Sequence, residues 1–331
     1  MQNTELKAKK NQTGAKTNLW SSFFEKSSPL FTLLILIGYM SFASPSFFSV
    51  SNFVNIIRQS TVVGTMAIGQ TLIIILAGID LSVGAVMAFS GCLIAVASTQ
   101  WHFHPLLALF LGILAGIAVG LTNGIIITKA KIQDFIATLG SLTAIQGVAL
   151  LISAGLPISG IPDGLLVVGS ERFLGIPISV FIFILITVTG WLILNHTTLG
   201  RNTLAIGGNL EAAKVSGIQV NFTKIIIYGF SGLCCAIASL VMIGRLNSAN
   251  ALMGDGLELQ SIAAVVLGGT SISGGAGSIG GTIIGVVTMG VLNNGLDLLN
   301  ISAFWQRVIL GLVIIGVVTL DTWRRNRIKN S

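Results

Sequence analysis

The chain has 331 residues, of which 53% are hydrophobic and only 9% are charged, and its mean hydropathy is +0.91. Soluble proteins carry about 25% charged residues, so this composition excludes an ordinary soluble domain. The net charge of +7 comes from basic clusters beside apolar runs, a pattern that membrane orientation explains without nucleic acid as a partner.

Long apolar runs follow one another along the chain, and many approach the ~20 residues that a helix needs to cross a bilayer. They are too continuous for barrel strands, and only helices and closed barrels satisfy their backbone in lipid. We therefore predict an all-α polytopic membrane protein with about ten transmembrane helices and cytoplasmic N- and C-termini. The predicted spans are about 29–44, 61–78, 82–99, 105–128, 134–154, 177–195, 223–244, 259–269, a ninth that rises to 293–300, and 303–321.

The spans divide the chain into a Lys-rich cytoplasmic tail (1–28), a membrane domain (29–321) and a basic cytoplasmic tail (322–331). The first apolar run also resembles a signal peptide, but the many spans that follow favour an uncleaved helix. Among the connections, 46–60 is predicted to lie in the outer interface, because its apolar residues have helical spacing beside Arg58 and Gln59.

Two further connections are predicted on the outer side. Residues 155–176 carry several prolines and glycines and are predicted to form a turn-rich loop. Arg245 to Glu258 are predicted to form a second outer connection, before a short eighth span. The second and eighth spans are short enough that a re-entrant course is an alternative for both.

Asp80 is the one acidic residue between Glu25 and Asp134. At mid-membrane it would cost roughly 2.5–3.5 kcal/mol, which would indicate a functional role. Asp80 and Ser82 also fit as caps of the helix that follows, at an inner turn, so a structural and a pathway role both stay open. Other candidate pathway or inner-turn residues are Asn123, Ser273, Asn293 and Asn294.

A short internal similarity joins two of these regions. LAGIDLSVG (76–84) aligns without gaps on LGGTSISGG (267–275), which pairs Ser82 with Ser273. Transporters often contain internal repeats, so the match indicates either an ancient repeat or a coincidence among many glycines.

The sequence contains no recognisable enzyme chemistry. GGTSISGGAGSIGG lacks the lysine that a nucleotide-binding P-loop needs, and the three histidines and three cysteines show no metal-ligand spacing. Paired carboxylates on one helix face and a nucleophile elbow are also missing. We therefore expect no catalytic residue, no cofactor and no metal in this chain.

The segment GGNLEAAKVSGIQ (207–219) is unusually polar for its position between two apolar runs. Asn209 can cap a helix that places Glu211 in the first turn, and Gly217 suits the left-handed residue that ends it. A helix of about two turns is unstable alone in water, so it must dock on something. Ala212 and Ala213 permit close approach, and Lys214 offers a charged contact.

Glu211-Ala212-Ala213 followed by Gly217 resembles the EAA-x3-G signature of ABC importer permeases. LAGIDLSVGAVMA, KIQDFIATLG, TLGRNTLAIGGNLEAAKVSGI and VLNNGLDLLN are similar to segments of the ribose-type monosaccharide permeases, in the same order over about residues 30–320. Two features depart from the pattern: no proline-containing tail follows Gly217, and GGAGS (274–278) stands where relatives often carry basic residues.

The resemblance implies an ABC importer permease fold in the bacterial inner membrane, with residues 200–222 as the loop that bears a coupling helix. It implies an ATPase subunit that docks on this helix, a sugar-binding protein on the outer face, and a second permease copy or a paralogue. Sugar would pass between the two permeases by alternating access. Alternatives are permeases for furanosyl signalling molecules or branched-chain amino acids and, in another class, an ion-coupled transporter, against which the scarcity of mid-membrane charges argues.

Overall fold

The computed structural model describes residues 29–330, and within this range the chain forms thirteen α-helices and one short β-hairpin. The N-terminal tail (1–28) and Ser331 lie outside the described residues. The elements are α1 (Pro29–Ala43), α2 (Val50–Ile75), α3 (Val83–Thr99), α4 (Pro105–Lys129), α5 (Asp134–Ile152), α6 (Asp163–Ser170), β1 (Arg172–Phe173), β2 (Ile176–Pro177), α7 (Ile178–His196), α8 (Thr198–Gly208), α9 (Leu210–Val215), α10 (Val220–Leu246), α11 (Leu257–Leu267), α12 (Ile279–Leu298) and α13 (Ala303–Asn330).

Most of the long helices have the character of membrane spans. Within the described residues, α4, α5, α7, α10 and α12 are long and apolar enough to cross a bilayer by length and composition. The predicted helical fold is confirmed at this level. The last helix, α13, continues through the segment predicted as a basic tail, 322–331, as far as Asn330.

The predicted second span, about 61–78, forms part of a longer helix. One helix, α2, begins after Ser49, whose hydroxyl accepts the N–H of Asn52, and runs without a break for 26 residues. Residues 50–60, part of the segment predicted to lie in the outer interface, therefore form the first turns of α2. Arg58 suggested an interfacial position, but its guanidinium instead donates a hydrogen bond of 2.9 Å to the carbonyl of Ser170.

A row of glycines on α4 sets the packing at the centre of the bundle. Its members recur at every fourth residue and so lie on one face of the helix: Gly112, Gly116, Gly120 and Gly124. A Cβ atom added to Gly120 would overlap with the carbonyl of Tyr228, and one added to Gly116 would lie 2.7 Å from the carbonyl oxygen of Gly232. The backbones of α4 and α10 are therefore in direct contact, as close packing in lipid requires.

The predicted outer connection from Arg245 to Glu258 is also wrong in part. Residues 247–256 turn back into the bundle, and Gly254 packs against the backbone of Gly84. Gly84 lies in the first turn of α3, and the helix rises about 22 Å from there to Thr99 at its other end. The short helix α11 thus begins inside the bundle, after a series of turns at residues 251–256.

The predicted turn-rich loop 155–176 contains more structure than its prolines indicated. It forms α6 and the β1–β2 hairpin, and Ile158, Ile161 and Leu165 are buried in a core cluster. Gly169 of α6 packs against the backbone of Gly244 near the end of α10. Small and apolar residues in this stretch therefore close one end of the bundle.

The glycine row gives the first prediction. Substitution Gly120→Ala should force α4 and α10 apart, because the new methyl group overlaps with a backbone carbonyl that cannot move independently. We expect a melting temperature in detergent several degrees below wild type. Gly147→Ala on α5 is the matched control, since an added Cβ there meets nothing within 4 Å. A variant at Gly120 that melts like the control would contradict the packing described.

Candidate functional site

The short helix α9 has the ends that the sequence predicted. Asn209 Oδ1 accepts the N–H of Ala212 at 3.0 Å, and Gly217 adopts a left-handed φ of +78° after the last turn. Lys214 Nζ lies 2.7 Å from Glu211 Oε1, which pairs the two exposed charges along the helix. The predicted short, capped helix is confirmed, and its role remains a prediction.

The two faces of α9 differ. Ala213 is buried in the same core cluster as Ile75 and Ile206, so this face is anchored to the bundle. The opposite face is open, and the side chain of Val215 is 90% exposed. Beside it lies a groove of about 520 Å³, lined by Lys214, Ile218, Gln219, Val220, Asn221 and Phe222. An exposed surface of mixed apolar and charged residues fits a protein partner better than lipid.

The sequence did not reveal α8, which precedes α9 and fixes it to two other elements. Gly207 of α8 packs against the carbonyl of Ile75, the last residue of α2. The same carbonyl accepts the N–H of Gly275 at 2.9 Å, from the loop between α11 and α12. The glycines at 207 and 275 thus allow α8, α2 and this loop to meet. We call this side of the molecule the α9 end of the bundle.

Asp80 lies in the turn between α2 and α3 and is only 3% exposed. Its Oδ1 accepts both the N–H and the hydroxyl of Ser82, at 2.8 and 2.6 Å, and Asn123 donates to the Ser82 hydroxyl at 2.9 Å. The predicted residues Asp80, Ser82 and Asn123 therefore form one buried hydrogen-bonded chain. This geometry favours a structural role for Asp80, because the carboxylate is enclosed and has partners. The predicted cap is wrong for Ser82, which precedes α3 but whose side chain accepts no N–H of that helix.

A second polar cluster next to this turn was not anticipated, because its members were predicted to lie near the ends of different spans. Asp134, the first residue of α5, lies 3.3 Å from Lys224 Nζ of α10 and accepts the hydroxyl of Tyr228 at 3.0 Å. The Lys224 and Asp134 side chains are 17% and 15% exposed. Lys224, nine residues after the end of α9, thus bonds α10 to the start of α5. The spacing gave no signal for this pair, which only the tertiary fold brings together.

Thr138 forms further hydrogen bonds at the junction where Asp134 and Lys224 meet. Its hydroxyl donates to the carbonyl of Ile79 at 3.1 Å and accepts the N–H of Leu81 at 3.2 Å. The first turn of α5 is therefore bonded both to α10 and to the turn that contains Asp80. Together Asp134, Thr138 and Lys224 connect α5, α10 and the α2–α3 turn at the α9 end.

The other predicted pathway residues are separated from this junction. Asn294 is buried and donates to Asn52 Oδ1 at 2.7 Å, which joins α12 to α2, while Asn293 donates to Gln260 of α11 at 3.1 Å. Ser273 is exposed in the α11–α12 loop, whereas its counterpart in the predicted internal repeat, Ser82, is fully buried. The paired serines therefore have different surroundings.

A large apolar cavity separates α5 from α4. It has a volume of about 680 Å³ and is lined mainly by side chains of these two helices, among them Ala118, Ile126, Ile136 and Ala144. Its lining offers few hydrogen-bonding groups to a polar ligand. On its other side, α5 packs mainly on α3.

The arrangement is suited to mechanical coupling rather than to bond chemistry. Among residues 29–330, no group of three or more His, Cys, Asp or Glu side chains could hold a metal ion. The three cysteines are buried and unpaired. What the α9 end offers is an exposed, capped helix that is connected through close backbone contacts and hydrogen bonds to α2, α5 and α10.

Comparisons with known proteins agree with this architecture. A family model described as branched-chain amino acid transport system / permease component matches residues 52–318. The ribose import permease protein RbsC of Bacillus subtilis (strain 168) is 43% identical over 318 residues, which cover 96% of this chain and 98% of its own length. RbsC of Escherichia coli (strain K12) is 41% identical, covering 88% and 92%.

A more distant relative is the D-allose transport system permease protein AlsC of Escherichia coli (strain K12), which is 35% identical and covers 90% of this chain and 92% of its own length. No solved structure matches the chain significantly. Because one family model matches most of the sequence and several relatives match nearly all of it, this chain belongs to the family of branched-chain amino acid transport system permease components.

Proposed function

We propose that this chain is the membrane-spanning subunit of an ATP-driven importer that takes up ribose or a close monosaccharide. The similarity over nearly the full length to proteins named as ribose import permeases carries the proposal. The chain lies in the inner membrane, and ATP hydrolysis belongs to a separate subunit. Relatives named for allose and arabinose are less similar, which places ribose first among the candidate sugars.

The ten predicted spans and the cytoplasmic termini are part of this proposal. Ten elements cross the bundle if residues 247–256 and α11 count as one: α1, α2, α3, α4, α5, α7, α10, this broken crossing, α12 and α13. With alternating directions, both ends of the chain lie on the α9 side. Lys129 and Lys131, between α4 and α5, lie on that side too, which supports a cytoplasmic α9 end.

The proposed ATPase subunit docks on the open face of α9. Val215 and Leu210 offer exposed apolar surface there, and Phe222 extends it across the groove to α10. Interfaces commonly combine such an apolar centre with a charged rim, which Glu211 and Lys214 would supply. A sugar-binding protein would dock at the opposite end, near α6 and the β1–β2 hairpin.

Movement of α9 would reach α5 through α10. Lys224 and Tyr228 of α10 hold Asp134, so a shift of the α9–α10 junction pulls on the first turn of α5. Only 11% of the membrane window of α5 is buried within this chain, the lowest share among the five candidate spans, and an apolar cavity lies between α5 and α4. We propose α5 as the element whose displacement opens and closes the sugar passage. A second copy of the chain, or a paralogue, would form the other wall.

Uptake assays test the substrate. Cells that express the chain with its ATPase and binding protein should accumulate radiolabelled ribose, and excess unlabelled ribose should compete more strongly than allose or xylose. Leucine should not compete, because a sugar is recognised through its hydroxyl groups. Competition by leucine, or uptake of a different sugar in preference to ribose, would overturn the assignment.

If the ATPase subunit docks on α9, a substitution on the exposed face of α9 should weaken ATPase binding without unfolding the chain. Val215→Asp changes a side chain that makes little contact with the rest of the chain, so folding should be retained while the ATPase subunit loses apolar contact area. We expect at least tenfold less ATPase to co-purify. Leu174→Asp is the control, since that side chain is 85% exposed at the opposite end of the bundle. Equal recovery of the ATPase with both variants would refute docking on α9.

If the Asp134–Lys224 ion pair transmits movement, exchanging its two charges should restore sugar uptake that a single substitution removes. Lys224→Met should lower uptake severalfold, because it leaves a largely buried carboxylate with fewer partners and loosens α5 from α10. The exchanged pair, Asp134→Lys with Lys224→Asp, should recover part of the lost uptake at unchanged ATPase recovery. If the exchange restores nothing beyond either single variant, the pair does not transmit movement.

A further inference from the structure

The chain between α10 and α11 carries polar side chains deep into the bundle. Ala249 exchanges two backbone hydrogen bonds with Ile158, of 2.8 and 3.0 Å, near the end opposite α9. From there the chain descends to Gly254, which touches Gly84 about 22 Å along α3 from Thr99. The hydrocarbon core of a bilayer is about 30 Å thick, so residues 254–258 fall within its depth when α3 is one of the membrane spans of the proposed function.

Three side chains at this depth surround a small cavity of about 30 Å³: Gln146 of α5, Asp255 and Glu258, beside Gly84 and Gly254. Glu258 Oε1 accepts the N–H of Gly256 at 3.2 Å, and its Oε2 faces Gly84. The side chain of Gln146 has no hydrogen-bond partner among residues 29–330. None of the three is fully buried, and Asp255 is 50% exposed.

These groups cannot face acyl chains. A carboxylate or an unpaired amide in hydrocarbon is costly, so at this depth each must face water or a polar partner. The polar surface continues away from the cavity, because Asp255 pairs with Arg307 at 2.9 Å and Gln260 pairs with Asn293 at 3.1 Å. The face formed here by α5, α11, α12 and α13 therefore carries linked polar groups between the cavity and the end opposite α9.

We infer that this face is a wall of the sugar passage, and that Gln146 and Glu258 hydrogen-bond the hydroxyl groups of the passing sugar. The chemistry matches, because a carboxylate accepts and a primary amide both donates and accepts, as neutral polyols require. An open wall with few such groups binds weakly, which lets the sugar leave again. The inference rests on the proposed function, and it adds the residues that the sugar touches. It also places one of them on α5, the helix proposed to move.

Thiol labelling tests the inference in right-side-out vesicles that contain the chain, its ATPase and its binding protein. Gln146→Cys should react with a charged, membrane-impermeant methanethiosulfonate at least tenfold faster than Leu185→Cys. Leu185 is the matched control because it lies in the middle of α7 and is 63% exposed on an apolar surface. Wild type gives the background, since its three cysteines are buried.

Labelling of Gln146→Cys should also block uptake of whichever sugar the unlabelled variant carries. Glu258→Cys serves as a second site, judged in the same way if Gln146→Cys does not assemble. Reaction at the Leu185→Cys rate, or full labelling without loss of uptake, would overturn the inference. Wild-type vesicles that take up another sugar but no ribose would contradict only the proposed substrate. The inference would still be tested, because the labelling rates are compared in the absence of sugar.

Discussion

The direct backbone contact between α4 and α10 is the constraint on which the rest of the structure depends. Lipid supplies no hydrophobic force to bring helices together, so their stability comes from close packing between small residues. Glycines spaced four apart let α10 lie against α4 at Tyr228 and Gly232. This contact fixes α10 as the central helix, and α10 in turn places Lys224 and Tyr228 beside the first residue of α5. The junction at the α9 end is therefore a consequence of the glycine row.

That geometry divides the molecule into closely packed helices and a helix that is less buried within this chain. The fully buried stretch of α2, together with α3, α10 and the glycine face of α4, forms the packed part, where Asp80 and Asn123 are enclosed and are both hydrogen-bonded to Ser82. By contrast, α5 is the least buried of the five candidate spans within this chain, borders the apolar cavity on one side and carries the polar residue Gln146 on another. A helix with these properties suits a wall that changes position during transport.

The sequence predicted most helices and the capped helix α9 because these depend on local patterns: apolar length, Asn209 at a start and Gly217 at an end. It failed where tertiary contacts decide. Arg58 read as an interfacial residue because a charge normally marks a boundary, but its partner, the Ser170 carbonyl, is far away in sequence. The descent of residues 247–256 depends on the fit of Gly254 to Gly84, which no spacing reveals. Asp134 and Lys224 likewise meet only because two helices cross there.

The central claim is that nucleotide-driven movement of α9 displaces α5 relative to the α4–α10 core. Spin labels at Leu151→Cys on α5 and Leu106→Cys on α4, both exposed positions, measure that displacement in the assembled importer. We predict that the distance between these labels changes by several ångströms when ATP binds, while the distance from Leu106→Cys to Leu246→Cys on α10 stays constant. If the α4–α5 distance is the same with and without ATP, or both distances change together, the account is contradicted.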